Sequence, residues 1–379
     1  MTVKESILKK YGIFKGMVFS KRLSEACPVA AVNPDFSPER ILEMAQNQPE
    51  ELHRSPLIWE CLTCGLCHEL SGGKVDMSSF VRELRERAFS SGFFPSEPHG
   101  GLMLTAQRIC ARSSVQPVKT GWIGEPLKVR EGRGEYLYWV GGAPFFTTVF
   151  PDLDTQAIAS ARSAIFLMNR IGIEPVVLER EQFSGHDLLW SGDVRGFKSL
   201  ARKNIEEIER SRARVVVVSS PHDYYTLHKS YQELIGRRNF RVLHITELIA
   251  EHIDKLCFRE NKARVTYHDP CRLGRGMGVY DAPRKILSAI PGMDLIEMPH
   301  TREQAHCCGT SCWINCTRYS KLMQVNRLHE ALDTGAEALI TSCWECALHF
   351  SCTLRPESWR QVSIEVRDLI SFAASLVTE

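Results

Sequence analysis

The chain has 379 residues, 44% hydrophobic and 24% charged, with 47 Lys+Arg against 45 Asp+Glu. These proportions describe a folded protein of two or three domains and exclude disorder and a long coiled coil. A formal charge of +2 leaves no electrostatic footprint for nucleic acid or an anionic membrane surface, whereas 14 Cys are too many for chance and too sparse for a disulfide-stapled miniprotein.

Met1 to Lys10 is charged and lacks the apolar core of an export signal. The basic residues Lys4, Lys9, Lys10, Lys15, Lys21 and Arg22 form either a solvated helix face or a partner-docking patch. Ser37 as N-cap with Pro38 behind it predicts a helix over Pro38–Gln46. Phe80, Val81, Leu84 and Ala88 at helical spacing, after Ser78 or Ser79, predict another over Met77–Phe89. Residues 90–101 are a Gly/Ser/Pro-rich break, and residues 115–135 read as a linker. The longest uncharged apolar stretch, Leu137–Pro151, is too short to cross a bilayer and reads as a buried strand followed by a loop. A cytoplasmic chain follows, in which clustered thiols serve metal or redox chemistry rather than disulfides.

From Tyr136 onward, strands and helices alternate. Strands are expected at Tyr136–Val140, Glu174–Leu178, Arg214–Ser219, Arg241–Ile245, Arg264–His268, Asp294–Met298, Ala338–Ser342 and Gln361–Glu365. Helices are expected at Asp154–Asn169, Gly196–Arg210, Thr246–Lys255, Pro283–Ile290, Tyr319–Thr334 and Val366–Leu376. Short apolar strands separated by helices indicate parallel α/β units covered on both faces. The unit also repeats. Tyr138–Gly142 lines up with Tyr267–Cys271, Leu189–Gly192 with His306–Gly309, and Val217–Asp223 with Ile340–Cys346. The first copy has Gly142, Trp190, Ser191, Ser220 and Asp223 where the second has five thiols, so it should carry no metal.

Cys61-x2-Cys64-x2-Cys67 lets one loop wrap three corners of a metal cluster, with Gly65 relieving the backbone. Ferredoxins extend this run to a fourth Cys followed by Pro, which ligates their other cluster. Here Ser71 stands at that fourth position, while Cys27-Pro28 lies alone upstream. Cys27, Cys61, Cys64 and Cys67 therefore read as the ligands of one [4Fe–4S] cubane, with structural zinc or free thiols as alternatives and His68 as a neighbour.

Cys271, Cys307, Cys308, Cys343 and Cys346 form the second group, each segment just after an expected strand. Loops at the carboxyl edge of a parallel sheet converge, which is where such folds bind ligands. The vicinal pair could bind two irons or form a strained disulfide, and Gly309 lets the backbone fold tightly beside it. Five thiolates exceed what a cubane takes, which leaves an unusual cluster, a cubane plus a free thiol, or zinc plus a spare Cys.

The run Tyr267-His268-Asp269-Pro270-Cys271-Arg272-Leu273-Gly274-Arg275, with Cys307-Cys308-Gly309 and Cys343-x2-Cys346, resembles the cysteine-rich CCG domain. That domain marks the B and D subunits of heterodisulfide reductase, the K subunit of the dissimilatory sulfite reductase membrane complex, and the iron–sulfur subunits of glycolate and lactate oxidation. The segment before it is similar to the C subunit of heterodisulfide reductase, so nearly the whole chain resembles a C–B fusion of the D-subunit type. The resemblance implies a noncubane [4Fe–4S] cluster at the five C-terminal thiols. It also implies a helical ferredoxin-like domain over 1–114, the linker 115–135, a degenerate CCG-type α/β (Rossmann-like) domain over 136–256 and a CCG-type α/β domain over 257–379. The first CCG site has lost its thiols and only one cubane set remains, unlike relatives with two of each. The implied function is an iron–sulfur electron-transfer subunit, with a disulfide or protein-thiol reductase and a zinc-stabilised scaffold as alternatives. Lacking a G-x-G-x-x-G fingerprint, the chain should rely on a flavin or other redox subunit, with a quinone or disulfide as substrate and membrane association through a partner.

Cys312 and Cys316, at helical spacing, are expected as buried side chains or spare ligands, and Cys110, Cys257 and Cys352 as core. Arg272 and Arg275 either offset cluster and substrate charge or lie in a solvated loop. His268 and His306 flank ligands as structural groups or proton relays.

Overall fold

The computed structural model describes residues 22–113, 120–236, 238–355 and 363–378. The basic patch at Lys4–Arg22 and the start of the linker lie outside the described side chains. Ser37 accepts a hydrogen bond from the Arg40 amide and Pro38 fills the first turn, so a helix runs over Pro38–Asn47. The helix Met77–Ser90 is capped by Asp76, not by Ser78 or Ser79, through the Ser79 amide. A further helix, Leu102–Arg112, opens on the left-handed Gly101 without a capping side chain, so no cap signal marks it in the sequence. Among the described residues no strand precedes Tyr136.

Two parallel sheets follow. β1 (Tyr136–Trp139), β2 (Val215–Val218) and β3 (Arg241–His244) pair in the order β1-β2-β3. β4 (Arg264–His268), β5 (Asp294–Leu295), β6 (Ala338–Thr341) and β7 (Glu365–Asp368) pair in the order β5-β4-β6-β7. The expected segment Glu174–Leu178 lies beside β1 as β5 lies beside β4, but only Val176 bridges to it. Pro175 brings no amide to a ladder there. With that edge included, the two sheets have the same order.

The repeat extends to side chains. The Tyr138 hydroxyl meets Ser219 Oγ at 2.8 Å, and the Tyr267 hydroxyl meets Ser342 Oγ at 2.9 Å. Gly192 and Gly309, matched in the sequence repeat, both take positive φ, +93° and +83°. Ser220 caps the helix Pro221–Tyr225 by accepting from the Asp223 amide, and Cys343 caps Trp344–Leu354 by accepting from the Cys346 amide. The two copies thus share a backbone and differ in whether oxygen or sulfur stands at the cap.

Three expectations are corrected by packing. After β1 the apolar stretch forms the helix Ala143–Val149, with Pro144 in its first turn, rather than a loop. The last strand is Glu365–Asp368, not Gln361–Glu365, whose residues 361 and 362 lie outside the described set. The final helix is accordingly Leu369–Ala374, capped by Asp368 through the Ser371 amide, rather than Val366–Leu376. Pairing with β6 and period-two burial at Val366 and Asp368 override the helical reading. The core beneath both sheets is continuous: Ala161, Ala164 and Ile165 of the helix Ala157–Arg170 pack with Ile286, Leu369 and Ile370 of the second copy.

No helix among the described residues is long and apolar enough to cross a membrane. Burial holds three histidines neutral well below their usual range: His186 to about 3, His349 to about 3 and His244 to about 4. Each binds a proton in the unfolded chain below pH about 6.5 but not in the folded one. Stability should therefore fall as pH drops from about 6.5 toward 4, by about 1.4 kcal/mol per histidine per pH unit. His222, raised by Glu345 against its burial, offsets part of this. The urea midpoint should be lower at pH 5 than at pH 7.5, and His244→Asn should flatten that dependence. An unchanged slope in the variant contradicts the assignment.

Candidate metal centres

Cys61 ends the short helix Leu57–Glu60, and Cys67 lies in the first turn of Leu66–Leu70. Between Cys64 and Cys67 the chain reverses at Gly65 with φ +81°, a left-handed conformation costing a side-chain residue about 1–2 kcal/mol. Cys27 arrives from the turn after the helix Arg22–Glu25. All four thiols line one cavity, walled by Val29, Phe36, Ile41, Leu62 and Met77. Backbone amides point at the sulfurs: Val29 and Ala30 to Cys27, and Thr63 to Cys61 at 3.4 Å. Burial, then the neighbouring Cys64 and Cys61, push the Cys27 thiol up to about 12. Burial and the same neighbours raise Cys67 well above the ordinary thiol range. Thiols that raise one another across an apolar cavity ionise together only around a cationic centre, so this donor set fits a metal cluster.

The second group forms a continuous chain of sulfurs. Cys271, just beyond β4, lies 4.0 Å from Cys307, Sγ to Sγ. Cys307 contacts Cys308, Cys308 contacts Cys346, and Cys346 contacts Cys343. Cys343 and Cys346 sit at the cap and first turn of the helix after β6, so these segments meet at the carboxyl edge of the sheet. A Cβ on Gly309 would come within 2.9 Å of the Ser320 carbonyl, so only glycine lets the vicinal pair lie this close to the helix Arg318–Leu332. All five are free thiols, and the vicinal pair forms no disulfide. Hydrogen bonds from Cys307 and Cys346 lower Cys308 to about 6, while burial raises Cys343 to about 12. Five sulfurs in mutual contact fit a cluster better than the four corners of a lone zinc ion.

Three arginines hold the first loop, and two of them, Arg272 and Arg275, join it to the second group. Arg85, fully buried on the helix Met77–Ser90, donates to the carbonyls of Ile58 at 2.9 Å, Trp190 at 2.9 Å and Cys61 at 2.6 Å. Arg272 donates to the Thr63 carbonyl at 2.8 Å and hydroxyl at 2.9 Å, with its guanidinium over the Trp190 ring at 4.0 Å. Arg275 Nε donates to the Cys64 carbonyl at 2.8 Å. Neither Arg272 nor Arg275 lies in a solvated loop. Arg85 is not among the residues that sequence reasoning singles out, and its carbonyl acceptors carry no residue-type signal that could have found it.

The thiol-free counterpart site is filled by polar groups. Glu345, between Cys343 and Cys346, accepts from Ser220 Oγ and from Cys343 Sγ, the latter at 3.2 Å. His222 Nδ1 lies 3.6 Å from Glu345, and its ring stacks on His186 at 4.3 Å. His186 pairs with Asp187 at 3.0 Å. These groups, with Gly142 and Asp223, line one small cavity, whereas Trp190 and Ser191 are buried behind it.

The remaining cysteines divide. Cys312 is buried, 3.7 Å from Arg85 Nη1, and stands apart from the chain of five. Cys312 and Cys316 lie in turns rather than on a helix. Cys110 is buried, Cys352 half-buried against Lys321 Nζ at 3.0 Å, and Cys257 exposed, contrary to a core role. Cys257 follows the turn Ile253–Lys255, beyond the helices that cover the sheets. His268 is fully buried, with Nδ1 accepting from Arg327 Nε at 3.3 Å. His306 stacks on His300 at 3.9 Å, and His68 is exposed.

Residues 265–351 match the CCG family, described as a cysteine-rich domain. The chain is 29% identical to the D subunit of dihydromethanophenazine:CoB–CoM heterodisulfide reductase from Methanosarcina acetivorans, covering 88% of this chain and 80% of that one. It is 24% identical to the EtfAB:quinone oxidoreductase of Syntrophomonas wolfei, covering 83% of this chain and 46% of that longer protein. The crystal structure of a hypothetical protein from Helicobacter pylori shares the fold, with a TM-score of 0.57 and 12% identity over 100% of this chain and 77% of that one. The chain carries a CCG domain and is homologous to the heterodisulfide reductase D subunit and related iron–sulfur proteins.

Arg85→Met should leave three buried carbonyls without donors, at roughly 1–3 kcal/mol each. Chemical denaturation should show the loss, and iron retained by the purified protein should fall with it. A variant with the wild-type midpoint would show that the clamp is dispensable.

Proposed function

We propose that this homologue of the heterodisulfide reductase D subunit is an iron–sulfur electron-transfer subunit of an oxidoreductase complex. Cys27, Cys61, Cys64 and Cys67 would hold a cubane [4Fe–4S] in a helical ferredoxin-like domain, and Cys271, Cys307, Cys308, Cys343 and Cys346 an iron–sulfur cluster of the noncubane type. Such clusters supply one-electron donor and acceptor chemistry. The observation that carries the reading is the gathering of nine thiols into two groups bridged by Arg272 and Arg275. The chain's own residues do the rest. Amides of Val29, Ala30 and Thr63 direct N–H groups at the first set of sulfurs, apolar walls exclude water, and the arginines supply positive charge between the sets. The thiol-free copy (136–256) covers the second set through Ser220, and redox partners would sit on other subunits.

One observation favours catalysis at the same place. Cys64 and Cys271 both line a cleft of about 180 Å³, shared with Arg272, Arg275 and Lys229, through which a disulfide substrate could reach the sulfurs. Turnover of a disulfide by the isolated chain separates that reading from a relay.

Anaerobic purification should yield iron and acid-labile sulfide in excess of zinc, with two electron paramagnetic resonance signals on graded reduction. Zinc without acid-labile sulfide overturns the proposal. Cys27→Ala should remove the cubane signal and leave the other. Full cubane occupancy in that variant would identify a different fourth ligand.

A further inference from the structure

Arg275 occupies an unusual place between the two sets of thiols. Its Nε donates to the Cys64 carbonyl at 2.8 Å, and its Nη1 to the carbonyls of Glu303 at 3.0 Å and Ala305 at 2.6 Å. One guanidinium therefore ties the backbone at Cys64 to the backbone just before Cys307. Its side chain also packs on Gly65, 3.7 Å from where a Cβ would stand. The remaining nitrogen, Nη2, is buried and has no hydrogen-bond partner among the described residues. Among the described residues no carboxylate lies within ion-pair distance of this guanidinium, unlike Arg284, which pairs with Asp269 and Glu297. The guanidinium lines one cleft together with Cys64 of the first set and Cys271 of the second.

We infer that Arg275 is a positioning residue common to both sites, which holds the Cys61–Cys67 loop against the Cys271 and Cys307 segments and raises the reduction potential of both centres together. The inference rests on the proposed function. One-electron reduction adds a negative charge to a cluster, and an unpaired guanidinium in a low-dielectric setting stabilises that added charge. A cation adjacent to sulfurs of both sets acts on both potentials in the same direction. A purely structural strut would change stability or iron content but would leave the potentials of the loaded centres where they were.

The test is a redox titration of the full-length protein, followed by electron paramagnetic resonance, for the wild type, Arg275→Gln and Arg275→Lys. The glutamine variant retains donors and loses the charge, and both midpoint potentials should fall. The lysine variant keeps the charge, and both potentials should return toward wild type. Unchanged potentials in a glutamine variant with wild-type iron content overturn the inference. So does a shift confined to one centre, in either variant, because Arg275 then serves a single site. If Arg275→Gln loses iron, the lysine variant decides: its charge sits on a shorter, differently shaped head, so both potentials displaced together support the shared role, and potentials left at the wild-type values or one displaced alone refute it. Iron and sulfide analysis of the wild type is independent of all three titrations, so absence of clusters there defeats the proposed function and is not confused with failure of this inference.

Discussion

Three guanidinium groups grip consecutive parts of one short loop, and the arrangement of both sites depends on that grip. The carbonyl of Cys61 is held by Arg85, that of Thr63 by Arg272 and that of Cys64 by Arg275. A loop that wraps a metal centre must turn its amides and sulfurs inward, which leaves carbonyls facing outward into protein rather than water. Unpaired buried carbonyls are costly, and charged donors are the strongest partners available for them. Two of the three arginines follow Cys271 closely in the chain, so satisfying the first loop fixes the backbone that presents the first thiol of the second site. The loop and the CCG segment form one structural unit although about 200 residues of chain separate them.

The two α/β copies keep one scaffold, with thiols at the strand ends of the second and none at those of the first. Tyrosine–serine pairs, left-handed glycines and helix caps recur at matched positions. At the cap after the second strand, Ser220 offers oxygen where Cys343 offers sulfur, and the hydrogen bond to the amide three residues on is 3.2 Å in one and 3.3 Å in the other. A hydroxyl serves the helix as well as a thiol does. It does not serve iron–sulfur chemistry, which needs thiolates. In the first copy that hydroxyl also meets the neighbouring copy: Ser220 donates to Glu345, beside the thiols of the second copy. The short loops at matching sheet edges allow this contact, since both sites sit where parallel strands end.

Much of this was legible in the sequence because the cysteine spacings and the repeat are one-dimensional signals. The match of Val217–Asp223 with Ile340–Cys346 anticipates two caps that the structure superposes in kind. What the sequence hid was long-range. Val366–Asp368 reads as the start of a helix until β6 pairs with it. The helix Trp344–Leu354 is buried on nearly all sides, so it lacks an amphipathic stripe, and its cap is a cysteine rather than a recognised capping residue. Arg85 reads as surface charge because its carbonyl acceptors lie 24 to 105 positions away. Backbone acceptors leave no residue-type signature.

The charge balance of the paired sites has a consequence for how they are filled. Nine ionised thiolates would confront three guanidiniums, a surplus of negative charge that a buried environment does not sustain. The thiols respond as expected: burial drives Cys27 and Cys343 up to about 12, with help from Cys64 and Cys61 at the first and Glu345 at the second, burial and neighbouring thiols hold Cys67 well above its ordinary range, and hydrogen bonds to neighbouring sulfurs, then burial, do the same for Cys307 and Cys346. Cys308 is the exception, lowered to about 6 by the hydrogen bonds it accepts from Cys307 and Cys346. Cys271, Cys307, Cys308, Cys343 and Cys346 would hold a metal centre as thiolates, so its binding would release protons. The arginines cannot replace the metal, because three charges do not balance nine thiolates and most of their donors are already engaged with protein oxygens. They neutralise only the charge that remains once a cationic centre is in place, which is why the same residues that shape the loop also bear on its electrostatics.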